Sequence, residues 1–284
     1  MQNISLILLC LLAIIMWPIN RIAMRSNAKM EHYGLVISFT AFSLGVIAAI
    51  INKKEIINFP ASIFGIGVGI AYSIGFCMII FYCLKIGPTG ATTSINNLGV
   101  IFPTVLSLMF FTETQSIKGF TVLGVLLTLA SLILMVFTNS NGSSVVSSKW
   151  KTFVFLGWLF SGMSLSLQFL ATYYSPKSSY AFIISTFFTS FVILLIISLY
   201  HHNLKVSKTE LTCGIANGIT AILINLLLFY VSQYIPGYVI FPVILIVPII
   251  SMMLIGNFFY KEKLNILGVV ATLLGGIGII LMYL

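Results

Sequence analysis

The sequence predicts an all-α integral membrane protein of ten transmembrane helices, arranged as two inverted five-helix repeats. Three observations predict this fold. Of the 284 residues, 60% are apolar and only 7% are charged, whereas an average soluble domain is about a quarter charged. The apolar residues fall into ten segments, and a short pattern in the first half recurs at the corresponding place in the second half. This composition excludes a water-soluble domain.

The ten segments account for most of the chain. The first five are 4–24, 32–51, 62–84, 88–112 and 117–137, and the second five are 152–173, 179–199, 209–232, 237–260 and 265–283. A helix needs about 20 apolar residues to cross a bilayer. Connections are short, so neighbouring helices are expected to run antiparallel. The longest connection is polar and lies at the midpoint, which predicts a first repeat at 1–138, a linker at 139–151 and a second repeat at 152–284.

The two halves are similar where the fourth segment meets the fifth. Placing Glu113 over Glu262, a shift of 149 residues, also pairs Phe110 with Phe259, Ile117 with Ile266 and Gly119 with Gly268. Trp17 and Trp158 lie in the first segment of each half, at a shift of 141. A repeat with an odd number of spans places its second copy upside down in the membrane. Inverted repeats of this kind form many secondary transporters.

Two five-helix halves with Glu-x5-Gly at both junctions resemble the drug/metabolite transporter superfamily, EamA type. The residues that carry the resemblance are Glu113 and Gly119, Glu262 and Gly268, Trp17, and Gly87-Pro88. Pro18 departs from the pattern, because the family more often has Gly there. The resemblance implies a secondary transporter of small metabolites, often an exporter. We expect a multi-pass protein of a bacterial-type cell membrane.

An enzyme is not expected. The chain has no Asp, and none of its five Glu residues lies in the middle of an apolar segment. His32, His201 and His202 all lie at segment ends, so no catalytic triad, metal cluster or cofactor site is predicted. Nucleic-acid binding is also not expected, because the 14 basic residues lie singly or in pairs between apolar runs. That arrangement is typical of interfacial anchors.

Polar residues within the apolar segments are the candidate substrate contacts, because an unpaired amide facing lipid costs several kcal/mol. These candidates are Trp17, Asn20, Arg21, Tyr72, Thr93, Asn97, Trp158, Gln168, Asn217 and Asn225. The alternatives are hydrogen bonds between helices for the amides and Thr, and core packing for Tyr72 and Trp158. For Arg21 the alternative is a side chain that reaches back to the interface. In proteins that the chain resembles, these helices surround a central cavity.

Other residues suggest structural or gating roles. Pro103, Pro242 and Pro248 lie inside segments, where each removes a backbone hydrogen bond and bends its helix. Glu113 and Glu262 each precede a helix, and we favour an interaction with that helix start over proton coupling. The small residues Gly268, Ala271 and Gly275 suit either a scaffold or a dimer contact.

A cavity lined by amides, hydroxyls and aromatic rings suits a neutral or zwitterionic solute, such as an amino acid or an aromatic compound. The expected partners are therefore a small-molecule substrate and the lipid bilayer, with a homodimer as a possibility. The rival hypothesis is a receptor or assembly partner with a packed centre. Ten of the 14 basic residues fall on or beside odd-numbered connections. This favours termini outside, whereas the resemblance implies termini inside, so orientation stays open.

Overall fold

A computed structural model describes residues 2–25, 28–86, 92, 95–111, 119–139, 147–201, 205–247 and 266–283. These residues form ten helices, which confirms the helical class and the number of predicted segments. The helices are α1 (Gln2–Arg25), α2 (Met30–Ile51), α3 (Phe59–Ile86), α4 (Ile95–Phe111), α5 (Gly119–Asn139), α6 (Ser148–Tyr174), α7 (Ser179–Tyr200), α8 (Lys208–Val231), α9 (Gly237–Val247) and α10 (Ile266–Tyr283).

Five of these helices are long and apolar enough to cross a membrane. They are α2, α6, α7, α8 and the part of α3 that ends at Ile80, and they contain 22 to 27 residues each. The other helices include shorter apolar stretches of 10 to 17 residues. The predicted fourth and ninth segments extend beyond α4 and α9 into residues outside the described ranges.

Helix α3 changes its hydrogen-bonding pattern in the middle. Phe59–Ala71 is α-helical, Tyr72–Ile80 is a π-helix, and Phe81–Ile86 is α-helical again. A π-helix bonds each residue to the fifth along the chain and has a wider turn. Tyr72 therefore lies at the start of a π-helical stretch, where side chains do not follow the α-helical spacing. Uninterrupted apolar sequence carries no signal that distinguishes the two helix types.

The chain forms two compact units, and each unit takes helices from both halves of the sequence. Unit 1 contains Met1–Met78 and Ser166–Tyr234, and unit 2 contains Ile79–Leu165 and Ile235–Leu284. Unit 1 therefore holds α1, α2, α7, α8 and parts of α3 and α6. Unit 2 holds α4, α5, α9, α10 and the remaining parts of α3 and α6. The compact units are thus a different division of the chain from the halves 1–138 and 152–284.

Within unit 1, the helix boundaries recur at a single shift. Helices α2 and α7 both have 22 residues, and Met30 and Ser179 at their starts are 149 residues apart. The same shift relates the starts of α3 and α8, at Phe59 and Lys208, and the ends of α1 and α6, at Arg25 and Tyr174. It is also the shift that aligns Glu113 with Glu262. Trp17 and Trp158, at a shift of 141, are out of this register by about two helical turns.

Glycines at matching positions make matching close contacts. A Cβ atom on Gly65 would meet the Ser185 side chain and lie 2.6 Å from the Phe182 carbonyl oxygen. At the positions shifted by 149, a Cβ atom on Gly214 would lie 2.6 Å from Val36 Cγ1 and 3.5 Å from the Tyr33 carbonyl oxygen. The pair α3–α7 therefore packs as the pair α8–α2 does.

The next glycine in each helix repeats this relationship. A Cβ atom on Gly69 would lie 2.5 Å from the Thr186 carbonyl oxygen and 2.8 Å from Thr189 Cβ. One on Gly218 would lie 2.9 Å from the Ile37 carbonyl oxygen and 2.7 Å from Thr40 Cβ. Gly218, Ile37 and Thr40 are the counterparts of Gly69, Thr186 and Thr189 at a shift of 149 residues.

Two aromatic pairs between α2 and α7 are each other's counterparts at the same shift. Phe39 contacts Phe191, with ring centroids 5.5 Å apart, and Phe42 contacts Phe188 at 5.3 Å. At a shift of 149 residues, Phe39 corresponds to Phe188 and Phe191 corresponds to Phe42, so each pair is the counterpart of the other. Reciprocal contacts of this kind are characteristic of two copies related by a two-fold axis.

In unit 2, α5 and α10 pack closely through small residues. Ser131 Oγ donates a 2.6 Å hydrogen bond to the Ala271 carbonyl oxygen. A Cβ atom on Gly124 would lie 2.6 Å from the Gly278 carbonyl oxygen, and one on Gly275 would lie 2.8 Å from Ser131 Oγ. The small residues of α10 thus contact α5, which favours the scaffold alternative for this face over the dimer contact.

Adding a methyl group at the matching glycines should have matching effects. We expect Gly69→Ala and Gly218→Ala each to lower the free energy of unfolding by about 1–3 kcal/mol, as overpacking commonly does. The control is Gly276→Ala, because no atom lies within 4 Å of a Cβ there. That change should be neutral or stabilising, since Ala is favoured over Gly in helices by about 0.5–1 kcal/mol. Thermal unfolding in detergent measures the stability of each variant. Equal stability of all three variants would contradict the packing described.

Candidate functional site

Three polar side chains from three helices of unit 1 form a closed, buried cluster. Tyr33 Oη donates a 2.8 Å hydrogen bond to Asn20 Oδ1. Asn217 Nδ2 donates to Asn20 Oδ1 and to Tyr33 Oη, both at 2.9 Å. The three residues are 8%, 1% and 5% exposed for Asn20, Tyr33 and Asn217 respectively. We call Asn20, Tyr33 and Asn217 the amide–phenol cluster.

The packing of α8 on α2 brings this cluster together. Asn217 precedes Gly218, and the missing side chain at Gly218 lets the α8 backbone approach Ile37 and Thr40 of α2. The cluster also fixes the orientation of the Asn217 amide, because its Nδ2 faces two oxygens. Asn217 Oδ1 is then buried and has no hydrogen-bond partner among the described residues. A buried acceptor without a donor is costly.

A second polar pair joins α6 to α8 in the same unit. Gln168 Nε2 donates a 2.8 Å hydrogen bond to Asn225 Oδ1, and Asn225 Nδ2 donates at 2.8 Å to the Ala221 carbonyl oxygen one turn earlier. Both side chains are half-buried. The structure therefore brings these two predicted residues together through the interhelical hydrogen bond that was the alternative to a cavity role. Contact with a substrate stays a prediction for both.

A charged group that the sequence reading missed lies at the start of α8. The Glu210 carboxylate accepts hydrogen bonds from the backbone N–H groups of Lys29 and Ser207, both at 2.7 Å, and lies 3.7 Å from His32 Nδ1. Glu210 N in turn donates to Ser207 Oγ at 3.2 Å. Ser207-x-x-Glu210 before an apolar run is the pattern of a capping box, so this signal was present. Glu210 is only 3% exposed.

Unit 2 contains two further candidates, Trp158 and Asn97. The Trp158 ring contacts Phe102 and Phe155, with ring centroids 5.0 and 5.5 Å apart. Trp158 Nε1 is buried and has no hydrogen-bond partner among the described residues. Asn97 is 8% exposed and precedes the 3₁₀ turn Leu98–Val100 of α4. Packing explains the Trp158 ring, but it leaves the indole N–H without an acceptor.

The remaining candidates divide into described and undescribed residues. Tyr72 lies in the π-helical part of α3, where it stacks on Phe76 with centroids 5.6 Å apart. Pro103 and Pro242 are buried within α4 and α9. Trp17 and Arg21 lie on α1, but their side chains are outside the described part, as are the whole residues Thr93, Glu113, Pro248 and Glu262.

The polar residues of unit 1 break the repeat that the backbone follows. At a shift of 149 residues, every member of the amide–phenol cluster and of the Gln168–Asn225 pair corresponds to an apolar side chain. The counterparts of Asn20, Tyr33, Asn217, Gln168 and Asn225 are Phe169, Phe182, Val68, Ile19 and Phe76. The helix contacts of unit 1 therefore repeat at this shift, whereas its polar side chains do not. Among the described residues, no group of three or more His, Cys, Asp or Glu side chains is placed to hold a metal ion.

Comparison with known proteins identifies the fold alone. No family model matches the chain, and no curated protein matches it. Chains of solved structures do match. One of them, described only as "Crystal structure of protein", has a TM-score of 0.69 and 16% sequence identity, over 98% of this chain and 96% of that chain. The arrangement of helices is thus similar over nearly the whole length of both chains.

Removing the phenol oxygen tests the amide–phenol cluster. Tyr33→Phe deletes one donor and one acceptor and leaves Asn20 and Asn217 short of a partner, which costs about 1–3 kcal/mol for a buried group. We expect the variant to unfold at lower temperature than the parent. Tyr200→Phe is the matched control, because Tyr200 is 81% exposed. If the two variants unfold at the same temperature, the cluster does not contribute to stability.

Proposed function

We propose that this chain is a multi-pass membrane carrier that moves a small neutral or zwitterionic organic solute by alternating access. The observation that carries the proposal is the contrast in unit 1 between repeated packing and unrepeated polar side chains. Two copies of one packing arrangement supply the scaffold. Only one of each matched pair of positions carries the groups that recognise a solute.

Exposed side chains support a location in the bilayer. Helices α1, α2 and α3 expose large apolar residues, such as Ile7 at 59%, Ile47 at 53% and Ile63 at 50%. Soluble proteins rarely expose apolar patches of this extent. Such helices need a lipid environment, and we propose the cell membrane of a bacterium as the location. The resemblance favours export.

The reciprocal contacts support two copies of opposite orientation. At a shift of 149 residues, α1 and α6 match at their ends, α2 and α7 match at both boundaries, and α3 and α8 match at their starts. The two sets of helices also exchange contacts as two-fold related parts do. Copies of five spans related in this way point in opposite directions across the membrane. In transporters of this construction, the substrate site lies near the midplane, where the repeats meet.

The chemistry of the polar groups supports an uncharged or zwitterionic solute. Amide, phenol and indole groups form hydrogen bonds in fixed directions, and ligand sites commonly place a few such groups among apolar side chains. Within unit 1, Asn217 Oδ1 is an acceptor that lacks a partner among the described residues. No step of bond making or breaking is proposed. The rival function is a membrane receptor or assembly partner that binds without moving a solute.

Two measurements on the full chain in vesicles distinguish these functions. First, mixtures of amino acids and of small aromatic compounds are screened for a rise in unfolding temperature. Then the compound that stabilises the chain is supplied in radiolabelled form, and its entry into vesicles is measured. A carrier gives saturable entry that exceeds the amount bound, whereas a receptor gives binding at a fixed ratio to protein. Absence of both contradicts the proposal.

Gln168 provides the test at a single residue. If its side chain contacts the solute, Gln168→Leu should lower transport by about tenfold, the effect expected from losing about one hydrogen bond. Stability should fall by only about 0.6 kcal/mol, the average for a hydrogen bond between membrane helices. Gln233→Leu is the matched control, because Gln233 is exposed and donates to the Pro176 and Phe229 carbonyl oxygens. Normal transport with reduced stability in Gln168→Leu would assign this residue a purely structural role.

A further inference from the structure

An open, basic pocket lies in unit 1 where α2 ends and where α3 and α7 begin. Its volume is about 430 Å³, and it is lined by Lys53, Lys54, Glu55, Asn58, Lys177, Ser178 and Tyr180. Three lysines therefore face one carboxylate. Glu55 Oε2 accepts a 3.0 Å hydrogen bond from Asn58 Nδ2, which orients the carboxylate toward Asn58. The pocket has a surplus of positive charge, and none of these residues belongs to the proposed substrate site.

The site related to this pocket by the 149-residue shift holds a negative charge from the chain itself. At a shift of 149 residues, Asn58 corresponds to Ser207, and Ser178 corresponds to Lys29. These two counterparts precede α8 and α2, and the Glu210 carboxylate bridges their backbone N–H groups at 2.7 Å each. Two neighbouring helix starts favour a negative charge, because the exposed N–H groups and the helix dipoles point toward it. At that site the Glu210 carboxylate satisfies this preference within the chain.

At the pocket, the carboxylate that corresponds to Glu210 is missing. The counterpart of Glu210 is Ala61, which is fully buried and carries no charge. Asn58 and Ser178 precede α3 and α7, and within the described structure neither side chain makes a capping hydrogen bond. The backbone N–H of Asn58 donates instead to Ser62 Oγ at 3.2 Å, and that of Ser178 donates to the Ser175 carbonyl oxygen at 3.0 Å. The lysine-lined pocket lies beside these two helix starts. One of the two shift-related sites thus holds an anion from the chain itself, whereas the other has open space and a surplus of positive charge for an anion from outside.

We propose that this pocket binds a phosphate group, either in the headgroup of an anionic lipid or as free phosphate. Lysine is a common phosphate ligand, acting as a compact point charge. Three lysines around one cavity suit a group with several acceptor oxygens better than a single carboxylate. The pocket also lies at helix ends, where a lipid headgroup is accessible to a membrane protein. The inference does not depend on whether the chain transports a solute.

The test measures binding to the full chain in a neutral detergent at constant ionic strength. The probes are phosphatidylglycerol, inorganic phosphate, and a glycolipid that lacks phosphate. We expect at least one phosphate probe to bind, and Lys53→Gln combined with Lys177→Gln to weaken that binding by at least about tenfold. Lys149→Gln combined with Lys151→Gln is the matched control, because both lysines are exposed on α6 and the charge change is the same.

Each outcome decides the proposal. Binding of phosphatidylglycerol alone assigns the site to a lipid headgroup, and binding of inorganic phosphate alone assigns it to the free ion. Binding of both identifies the phosphate group itself as the ligand. The proposal is overturned if neither phosphate probe binds, if the glycolipid binds equally well, or if the Lys53/Lys177 variant binds as the parent does.

A second variant tests whether the pocket is equivalent to the Glu210 site. Ala61→Glu introduces a carboxylate at the position that corresponds to Glu210, where it competes with an external anion. We expect this variant to unfold cooperatively and to bind the phosphate probe at least about tenfold more weakly. A folded variant that binds phosphate like the parent would overturn the equivalence of the two sites. If the variant does not fold, the lysine variants still decide the question.

Discussion

Close approach of helix backbones at four glycines is the constraint on which the rest of unit 1 depends. Gly65 and Gly69 bring α3 against α7, and Gly214 and Gly218 bring α8 against α2. In lipid, water does not drive helices together, so association depends on close packing and on interhelical hydrogen bonds. A side chain at these positions would separate the helices. The amide–phenol cluster depends on this packing, because Asn217 reaches Tyr33 only when α8 lies against α2.

The two copies share their helix contacts and differ in their polar side chains. Repeated glycines and phenylalanines give the same helix contacts twice, while the amides and the phenol occur in one member of each matched pair. The same division applies at the helix starts, where Glu210 is replaced by Ala61 in the other copy. Packing positions tolerate little variation, because a single added methyl group disturbs a close contact. Polar positions are not held by this packing constraint, and they differ between the two copies.

Hydropathy predicted the helices well, because every backbone group in lipid must be bonded within the helix. The seventh segment was expected at 179–199, and α7 is Ser179–Tyr200. The shift of 149 inferred from Glu113 and Glu262 is also the shift that relates the helix boundaries. The π-helix in α3 was missed, since it depends on neighbours rather than on local composition. Tyr33 was missed because its partner Asn217 is 184 residues away and its partner Asn20 lies on a different helix.

The central claim is that the two copies have opposite orientations in the membrane, and cysteine accessibility tests it most directly. The four native cysteines, Cys10, Cys77, Cys83 and Cys213, are first replaced by Ser or Ala. Single cysteines are then placed at Lys54, after α2, and at Lys205, before α8, and intact cells are treated with a membrane-impermeant thiol reagent. We expect one site to be labelled and the other to react only after the membrane is opened. Labelling of both sites from the same side would contradict it.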